Sequence, residues 1–576
     1  MLTALNGQNG LVINGFVPAE QIGRSINFVG DLDKDGVDDL AIGAPLANGV
    51  SGPRTGKVYV LFGKRGGWRD PLNLRTLTRS DGITLTGLST GDEFGFSVSG
   101  IGDINGDRVD DLVIGAPFVS LKDDQKDDQK DDQKDDQKEK KKEKKKEKKN
   151  VGQAYVIFGQ WGRYRFPPRI DVSTLDGRNG FVVNGQAAGD ELGYAVSGAG
   201  DLNGDRLGDL IMGVPFHQSP EGIQTGQSVV ILGRRNKFDA VFDWKTLKDW
   251  IGFAITGALP GEQSGFALAP AGDINGDGVS DVVIGAPFAN ARGYSSGRSY
   301  VVFGNRIGFG DRIDLARLNG HNGFILNGFA PRGLSGHSVS GAGDLNGDRV
   351  ADLLIGAPFA EPNGLDSGQS YAVFGQRGGF PPVFDLNTLN GLNGWTLNGT
   401  TGRSGFAVTG LGDINGDRLS DLLVGAPFTL GRLLDGGGQG YVVYGRSTRI
   451  MSPTLSLGQL NRKTGFPIYG RLPAEALGYT VAGQGDFNGD LIPDLALSAP
   501  LATANGITAA GQVYVIFGQP PPPPKPPEKP KSPEKSKSPA NPPKTSQSVK
   551  PLASGAQPTP SPTPSPTPTP SPQPSP

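Results

Sequence analysis

Seven stretches of this 576-residue chain place oxygen-bearing side chains at alternate positions and then run directly into an apolar segment. One of them reads Asp103-Ile104-Asn105-Gly106-Asp107-Arg108-Val109-Asp110-Asp111. Positions 1, 3, 5 and 9 of such a loop offer side-chain oxygens, and position 7 offers a backbone carbonyl. Here these are Asp103, Asn105, Asp107, Asp111 and Val109. The other six sets are Asp31, Asp33, Asp35, Asp39 with Val37; Asp201, Asn203, Asp205, Asp209 with Leu207; Asp273, Asn275, Asp277, Asp281 with Val279; Asp344, Asn346, Asp348, Asp352 with Val350; Asp413, Asn415, Asp417, Asp421 with Leu419; and Asp486, Asn488, Asp490, Asp494 with Ile492. Hard oxygens at alternate positions suit a flexible calcium site with about six to eight ligands, whereas Mg²⁺ demands a tighter octahedron. Up to seven Ca²⁺, one per loop, are expected. No Glu stands at position 12, because a strand has begun there, so these are hairpin loops and not helix–loop–helix sites. A lone match could be an Asx-rich turn. Seven in phase, in an acidic body, favour metal. Unneutralised carboxylates a few ångströms apart would repel by several kcal/mol per site, so the ions are expected to be structural.

The rest of the composition narrows the chemistry. There is no Cys, and the three His lie in three different repeats, so a thiol, a disulfide or a His-rich centre is not expected. Net charge is −2, but the segment 122–149 and the stretch after residue 520 are both net basic, so the remainder is acidic. An acidic body is not that of a phosphate-backbone binder, and no nucleic acid is expected as a partner. No apolar run approaches the roughly 18–20 residues of a membrane span. Met1-Leu2-Thr3-Ala4-Leu5-Asn6-Gly7 lacks the basic start and apolar core of a signal peptide.

The elements that must position the loops are short and repeated. A β run ending in Gly recurs as Leu11–Gly15, Ile83–Gly87, Phe181–Gly185, Phe253–Gly257, Phe324–Gly328, Trp395–Gly399 and Phe466–Gly470. A second glycine (Gly23, Gly95, Gly193, Gly265, Gly336, Gly405, Gly478) stands eight residues before each loop's first Asp. A small-residue strand leads into the loop. An apolar strand leaves it and ends in Gly-Ala-Pro or close to it, and a Tyr-led strand such as Tyr300–Gly304 follows a variable connection. Loop starts are 72, 98, 72, 71, 69 and 73 residues apart, and the outlier contains the insert 122–150. Four-stranded units in series predict a β-propeller, with a solenoid as the alternative. The N-terminal run 11–15 is a spare fourth strand, and the seventh unit lacks one. The spacing therefore predicts an all-β, seven-bladed propeller over 1–519 in which the N-terminal strand completes the last blade. The small-residue strands should line the axis, with the Asp loops on one face and the loops after Gly-Ala-Pro on the other.

The insert, a (Lys-Asp-Asp-Gln) tract followed by Lys/Glu repeats, cannot bury apolar surface and is expected to be disordered. Residues 520–576 are rich in Pro, Ser, Thr and Lys and are expected to be an extended, disordered spacer. Such a tail could associate with a cell envelope.

Phe94-Gly95, the Asp loop and Gly115-Ala116-Pro117 resemble the FG-GAP repeat family, the seven-bladed propeller of integrin α chains and of many bacterial surface proteins. The resemblance covers about 1–519 apart from the insert. It has departures. The Phe is replaced by Ile22, Leu192, Ser264, Ser335, Ser404 and Leu477. The Gly usual at loop position 6 stands only at Gly36 and Gly278, and Gly at position 4 is expected to supply the φ > 0 residue in the others. The resemblance implies a calcium-stabilised disc used for adhesion or protein recognition, extracellular or at the cell surface, with ligand contacts opposite the calcium face. The partner is then a protein or glycan. A lectin-like propeller is the alternative, with Trp68, Trp161, Tyr164 and Trp250 as aromatics that could stack on sugars. An accessory domain of a hydrolase is the third reading. The chain itself is expected not to be an enzyme.

Overall fold

The computed structural model describes residues 2–122, 147–219, 221–248, 250–428, 436–447 and 452–519. Expectations for most of the insert and for the tail fall outside the described residues. The described part of the chain is all-β. Its helical pieces are eight single 3₁₀ turns, and no helix is long and apolar enough to cross a membrane.

Seven antiparallel sheets form the blades. Blade 4 is representative, with strands Ala267–Gly272, Asp281–Ala286, Arg298–Val302 and Gly323–Asn327 in that order from the inside outward. The second strand of every blade past its first residues is apolar and fully buried, because neighbouring blades cover both of its faces. The ring closes as the spacing requires. Gly10–Asn14 pairs antiparallel with Gln512–Ile516, placing the first strand of the chain in the last blade. The first strands of adjacent blades face one another around an axial channel of about 900 Å³, lined by Asn27, Ser99, Ser197, Ser340 and Thr409 among others.

The second glycine and the glycine of Gly-Ala-Pro are explained together at the seams. A methyl placed on Gly285, in the Gly-Ala-Pro of blade 4, would sit 2.0 Å from the carbonyl oxygen of Gly336, the second glycine of blade 5. Gly336 has φ +89°. Blades approach this closely at backbone level, and glycine leaves the room. Only the last blade has another residue, Ser498, at the first of these positions, facing Gly23.

Six blades carry a fifth strand beyond the expected four. Each is two or three residues long, comes from the next blade, and pairs parallel to the fourth strand, as Val383–Asp385 does on Gly323–Asn327. Among the described residues blade 6 has none. In five blades the central residue of the fourth strand donates its N–H to the incoming segment, as Ile325 does to the Pro382 carbonyl at 2.9 Å. In blade 6 that residue is Pro467, which has no N–H to give. A proline on an open edge also blunts it against pairing with another chain.

The insert is more ordered at its ends than expected. Residues 121–122 pair antiparallel with 147–148, so the boundary 122–150 is too wide. Leu121 is half-buried against the blade 2 core, and that packing pins the near end of the stem.

Candidate cation loops and the opposite aromatic face

Six of the seven loops are aimed by a bulge, the first blade's pairing being regular. Register shifts by one residue as the first strand meets the second, for example between Gly341 and Gly343 in blade 5, which bends the strand end toward the loop. The loop then folds on its own aspartates. The position 1 carboxylate accepts the N–H groups of positions 5 and 6 at 2.8–3.1 Å in all seven loops. The position 5 carboxylate accepts the N–H of position 7 at 2.9–3.0 Å. These nested Asx turns gather positions 1, 3 and 5 at the loop tip.

Position 9 faces the other way. Asp39, Asp111, Asp209, Asp281, Asp352, Asp421 and Asp494 are fully buried. One oxygen of each accepts the position 2 N–H at 2.7–3.1 Å. The other accepts the N–H of the glycine ending the third strand at 2.8–2.9 Å. This carboxylate therefore ties the loop to its blade, and its remaining lone pairs are what it could offer an ion. Burial pushes these carboxyls up, opposed by the two backbone N–H groups and reinforced by the position 5 and position 1 carboxylates in six loops and by Asp33 and Asp31 in the first. Asp281 rises to about 7 and Asp352 to about 8.

The loops are also joined to each other. At five of the seven seams the position 8 N–H of one blade donates to the position 1 carbonyl of the preceding loop, as Ser280 does to Asp201 at 3.2 Å and Ser420 to Asp344 at 2.8 Å. Between the first two loops the Asp110 carboxylate accepts the Asp31 N–H at 2.9 Å instead. At the last seam position 8 is Pro493, which cannot donate.

The expectation for the φ > 0 residue needs correction. Position 4 does not replace position 6, because both are left-handed in every loop. Position 4 runs from 58° at Lys34 to 86° at Gly347, and position 6 from 66° at Arg349 to 85° at Gly36. Two consecutive Asx turns need two reversals of the backbone. Five loops thus hold Arg or Leu in a conformation that costs an L-residue about 1–2 kcal/mol. Leu491, with φ +70°, is 86% exposed and has no packing to lose. Leu491→Gly is expected to raise stability by up to about 1 kcal/mol, the gain being trimmed by glycine's freedom in the unfolded chain. An unmoved urea midpoint would contradict this.

The donor set fits a hard divalent cation. The ligand atoms of Asp31, Asp33 and Asp35 all lie within 4.8 Å of one another. Asn replaces Asp at position 3 in the other six loops, so each offers two carboxylates and a carboxamide at its tip.

The sequence reading missed a second feature. The residue after each second glycine (Arg24, Phe96, Tyr194, Phe266, His337, Phe406, Tyr479) joins a closed circuit around the axis. Ring centroids are 5.0 Å apart for Phe96–Tyr194, 5.1 Å for Tyr194–Phe266, 5.5 Å for Phe266–His337, 4.8 Å for His337–Phe406 and 5.1 Å for Phe406–Tyr479. The Arg24 guanidinium closes the circuit, 4.7 Å from Tyr479 and 5.9 Å from Phe96. All seven are half-buried. They begin the strands that end in the Asp loops, so they lie on the opposite face. The Phe after Gly-Ala-Pro adds an outer tier, with Phe118 5.8 Å from Phe96 and Phe428 5.2 Å from Phe406. The signal was present in the fixed offset from the second glycine. Of the four aromatics singled out for sugar stacking, Trp68 is core, stacked on Phe487 at 4.9 Å, while Trp161, Tyr164 and Trp250 are 57%, 67% and 71% exposed.

The FG-GAP repeat family matches residues 23–61, 94–130, 264–302, 335–373 and 478–516, within blades 1, 2, 4, 5 and 7. The chain is 35% identical over 181 residues to the phosphatidylinositol-glycan-specific phospholipase D of Bos taurus, covering 30% of this chain and 20% of that protein. It is 29% identical over 251 residues to integrin alpha pat-2 of Caenorhabditis briggsae (41% and 18%), and 31% identical over 242 residues to integrin alpha-PS2 of Drosophila melanogaster (41% and 15%). The matched spans are thus at most about a fifth of these relatives' own lengths. Among solved structures, an exotype rhamnogalacturonan lyase, YesX, aligns with a TM-score of 0.36 at 12% identity, over 88% of this chain and 76% of that one. Five matched repeats, seven blades closed into a ring and integrin α relatives make this chain an FG-GAP repeat β-propeller of the integrin-α-like kind.

Proposed function

We propose that this propeller is a non-catalytic protein-interaction module, held rigid by Ca²⁺ in its Asp loops and working outside the cell or at its surface. The observation that carries the reading is the two-tier aromatic face opposite the loops. Half-buried aromatic surface gathered around an axis is the kind of patch that marks recognition surfaces. The calcium part is supported by the oxygen-only loop tips and by the integrin α relatives. Ion sites on the far face would fix the blades without competing with a partner. The tail beyond residue 519 would serve as the spacer to an envelope.

The test is a pull-down with the intact chain, in calcium, in chelator, and with Phe406→Asp on the aromatic face. Partners retained in calcium should be lost in both other arms. A retained set indifferent to chelator and to the substitution would sink the reading. A glycan-binding role is the second reading, favoured by the exposed Trp161 and Tyr164 in one connection. Binding on a glycan array that Trp161→Ala abolishes would select it. An accessory role beside a hydrolase, suggested by the phospholipase D relatives, would require a catalytic partner or domain.

A further inference from the structure

The first loop departs from the other six at position 3. In four of those loops the Asn carboxamide donates to the position 5 carboxylate, as Asn275 does to Asp277 at 2.9 Å. In all six, its oxygen accepts the position 5 N–H at 2.9–3.0 Å. Asp33 has no N–H to donate, and it adds a fully buried negative charge beside Asp31 and Asp35. A buried carboxylate needs a paired cation.

That cation comes from the next blade. Arg163 Nε lies 3.0 Å from Asp33 Oδ2, and its Nη2 pairs with Asp35. The guanidinium also donates to the carbonyls of Ser80 at 3.2 Å and Gly63 at 3.4 Å. The connection that carries it is bonded to the loop by its backbone, Gln160 N–H to Leu32 and Gly162 N–H to the Asp33 carbonyl, at 2.8 and 2.7 Å. Arg163 is 18% exposed and lies over Phe62.

The neighbouring seams are built differently. After the third strand, blades 1, 3, 4 and 5 place Arg65, Arg235, Arg306 and Arg377 two residues beyond the terminal Gly. Each packs across the position 4 Gly of the preceding loop, so closely that a methyl there would meet its side chain at 2.5–2.8 Å. None of these four forms an ion pair with a loop carboxylate among the described residues. In the first loop position 4 is Lys34, the equivalent arginine is Trp161, and the guanidinium is moved two residues on, onto the carboxylates.

We propose that Arg163 is a tethered counter-cation that occupies the carboxylates of the first loop and competes there with a divalent ion. This rests on the calcium reading of the other loops. By charge count alone the first loop should bind most tightly. With its own guanidinium in place it is instead the last to fill, and filling it displaces the Arg163 side chain.

Calorimetric titration of the intact, chelator-stripped chain with Ca²⁺ tests this, using wild type, Arg163→Gln, Asp33→Asn and the double variant, with Arg306→Gln as control. Wild type should show six sites and one weaker site. Arg163→Gln should tighten that last site by about tenfold or more, the scale of a lost charge-assisted pair. In the Asp33→Asn background Arg163→Gln should tighten the site by clearly less than in wild type, because only the Asp35 pair is left to lose, and Arg306→Gln should leave the weak site weak. In chelator, Arg163→Gln should melt below wild type, and Ca²⁺ should restore it. Asp33→Asn keeps the test open if Arg163→Gln does not fold, because losing the Nε partner should by itself bring the weak site closer to the other six. Seven equal sites in wild type, unchanged by either substitution, would overturn the competition while leaving the calcium reading intact. Absence of binding by any variant would overturn both.

Discussion

Asp281→Ala is expected to destabilise the calcium-loaded propeller by about 2–6 kcal/mol, from two buried N–H groups left unpaired at about 1–3 kcal/mol each. Those groups are the Ile274 N–H, 2.9 Å from Oδ2, and the Gly304 N–H, 2.8 Å from Oδ1. The first belongs to the loop and the second to the end of the third strand, so one carboxylate fastens both to the second strand. Asp281→Asn retains one acceptor and should cost about half as much. Asp277→Ala, at an exposed loop tip, should cost less than either in chelator, where no ion depends on it. Urea unfolding in calcium measures the order. An Asp281→Ala midpoint equal to wild type would remove position 9 from its assigned role.

The second large effect is a reversal of pH dependence by chelator. Position 9 carboxyls are raised, chiefly by burial, from 3.8 to about 7 in Asp209, Asp281 and Asp421 and to about 8 in Asp352 and Asp494. A raised carboxyl means that the folded chain holds more protons than the unfolded one between these values. Ion-free stability should therefore be greatest below about pH 4 as far as these groups are concerned, and should fall as pH rises through about 7 to 8. One such group carries on the order of 4 kcal/mol, so several together would exhaust a typical margin of about 5–15 kcal/mol. A divalent ion stabilises the ionised loops, by about 2.7 kcal/mol per site at 100 times its dissociation constant. The melting temperature should thus fall between pH 5 and 8 in chelator and hold or rise in calcium. Parallel profiles in the two buffers would contradict this linkage.

Much of this molecule could be read from spacing alone. Seven in-phase repeats fixed the blade count, and the spare run at residues 11–15 fixed the closure, because a ring needs a partner for Gln512–Ile516 and only one segment is left to provide it. The loop residues were legible because oxygen side chains at alternate positions are rare without a reason. What escaped were features that depend on the next blade. The fifth strands are only two or three residues long and gain their partner across a seam, so no local pattern announces them. Arg163 is about 130 residues from Asp33 in sequence and meets it only because consecutive blades abut. The left-handed position 6 was misjudged because Arg and Leu do not advertise positive φ as Gly does. The aromatic circuit was missed for a different reason. Its members differ in type, Arg among Phe, Tyr and His, and their common offset from the second glycine is what unites them.

The strand that closes the ring also sets how the disc would behave under tension. Gly10 lies opposite Ile516 and Asn14 opposite Gln512, so the two ends of the ring leave their shared ladder at the same end. A pull between residue 9 and residue 517 would load those hydrogen bonds one after another, as a zipper opens, and not all at once. Blade 7 is then the mechanical fuse of the molecule, and the unfolding rate of that one blade governs how long the ring survives a load. A load carried from the tail to the aromatic face would bypass the zipper and run through the blades, where most seams are sewn by a neighbour's loop.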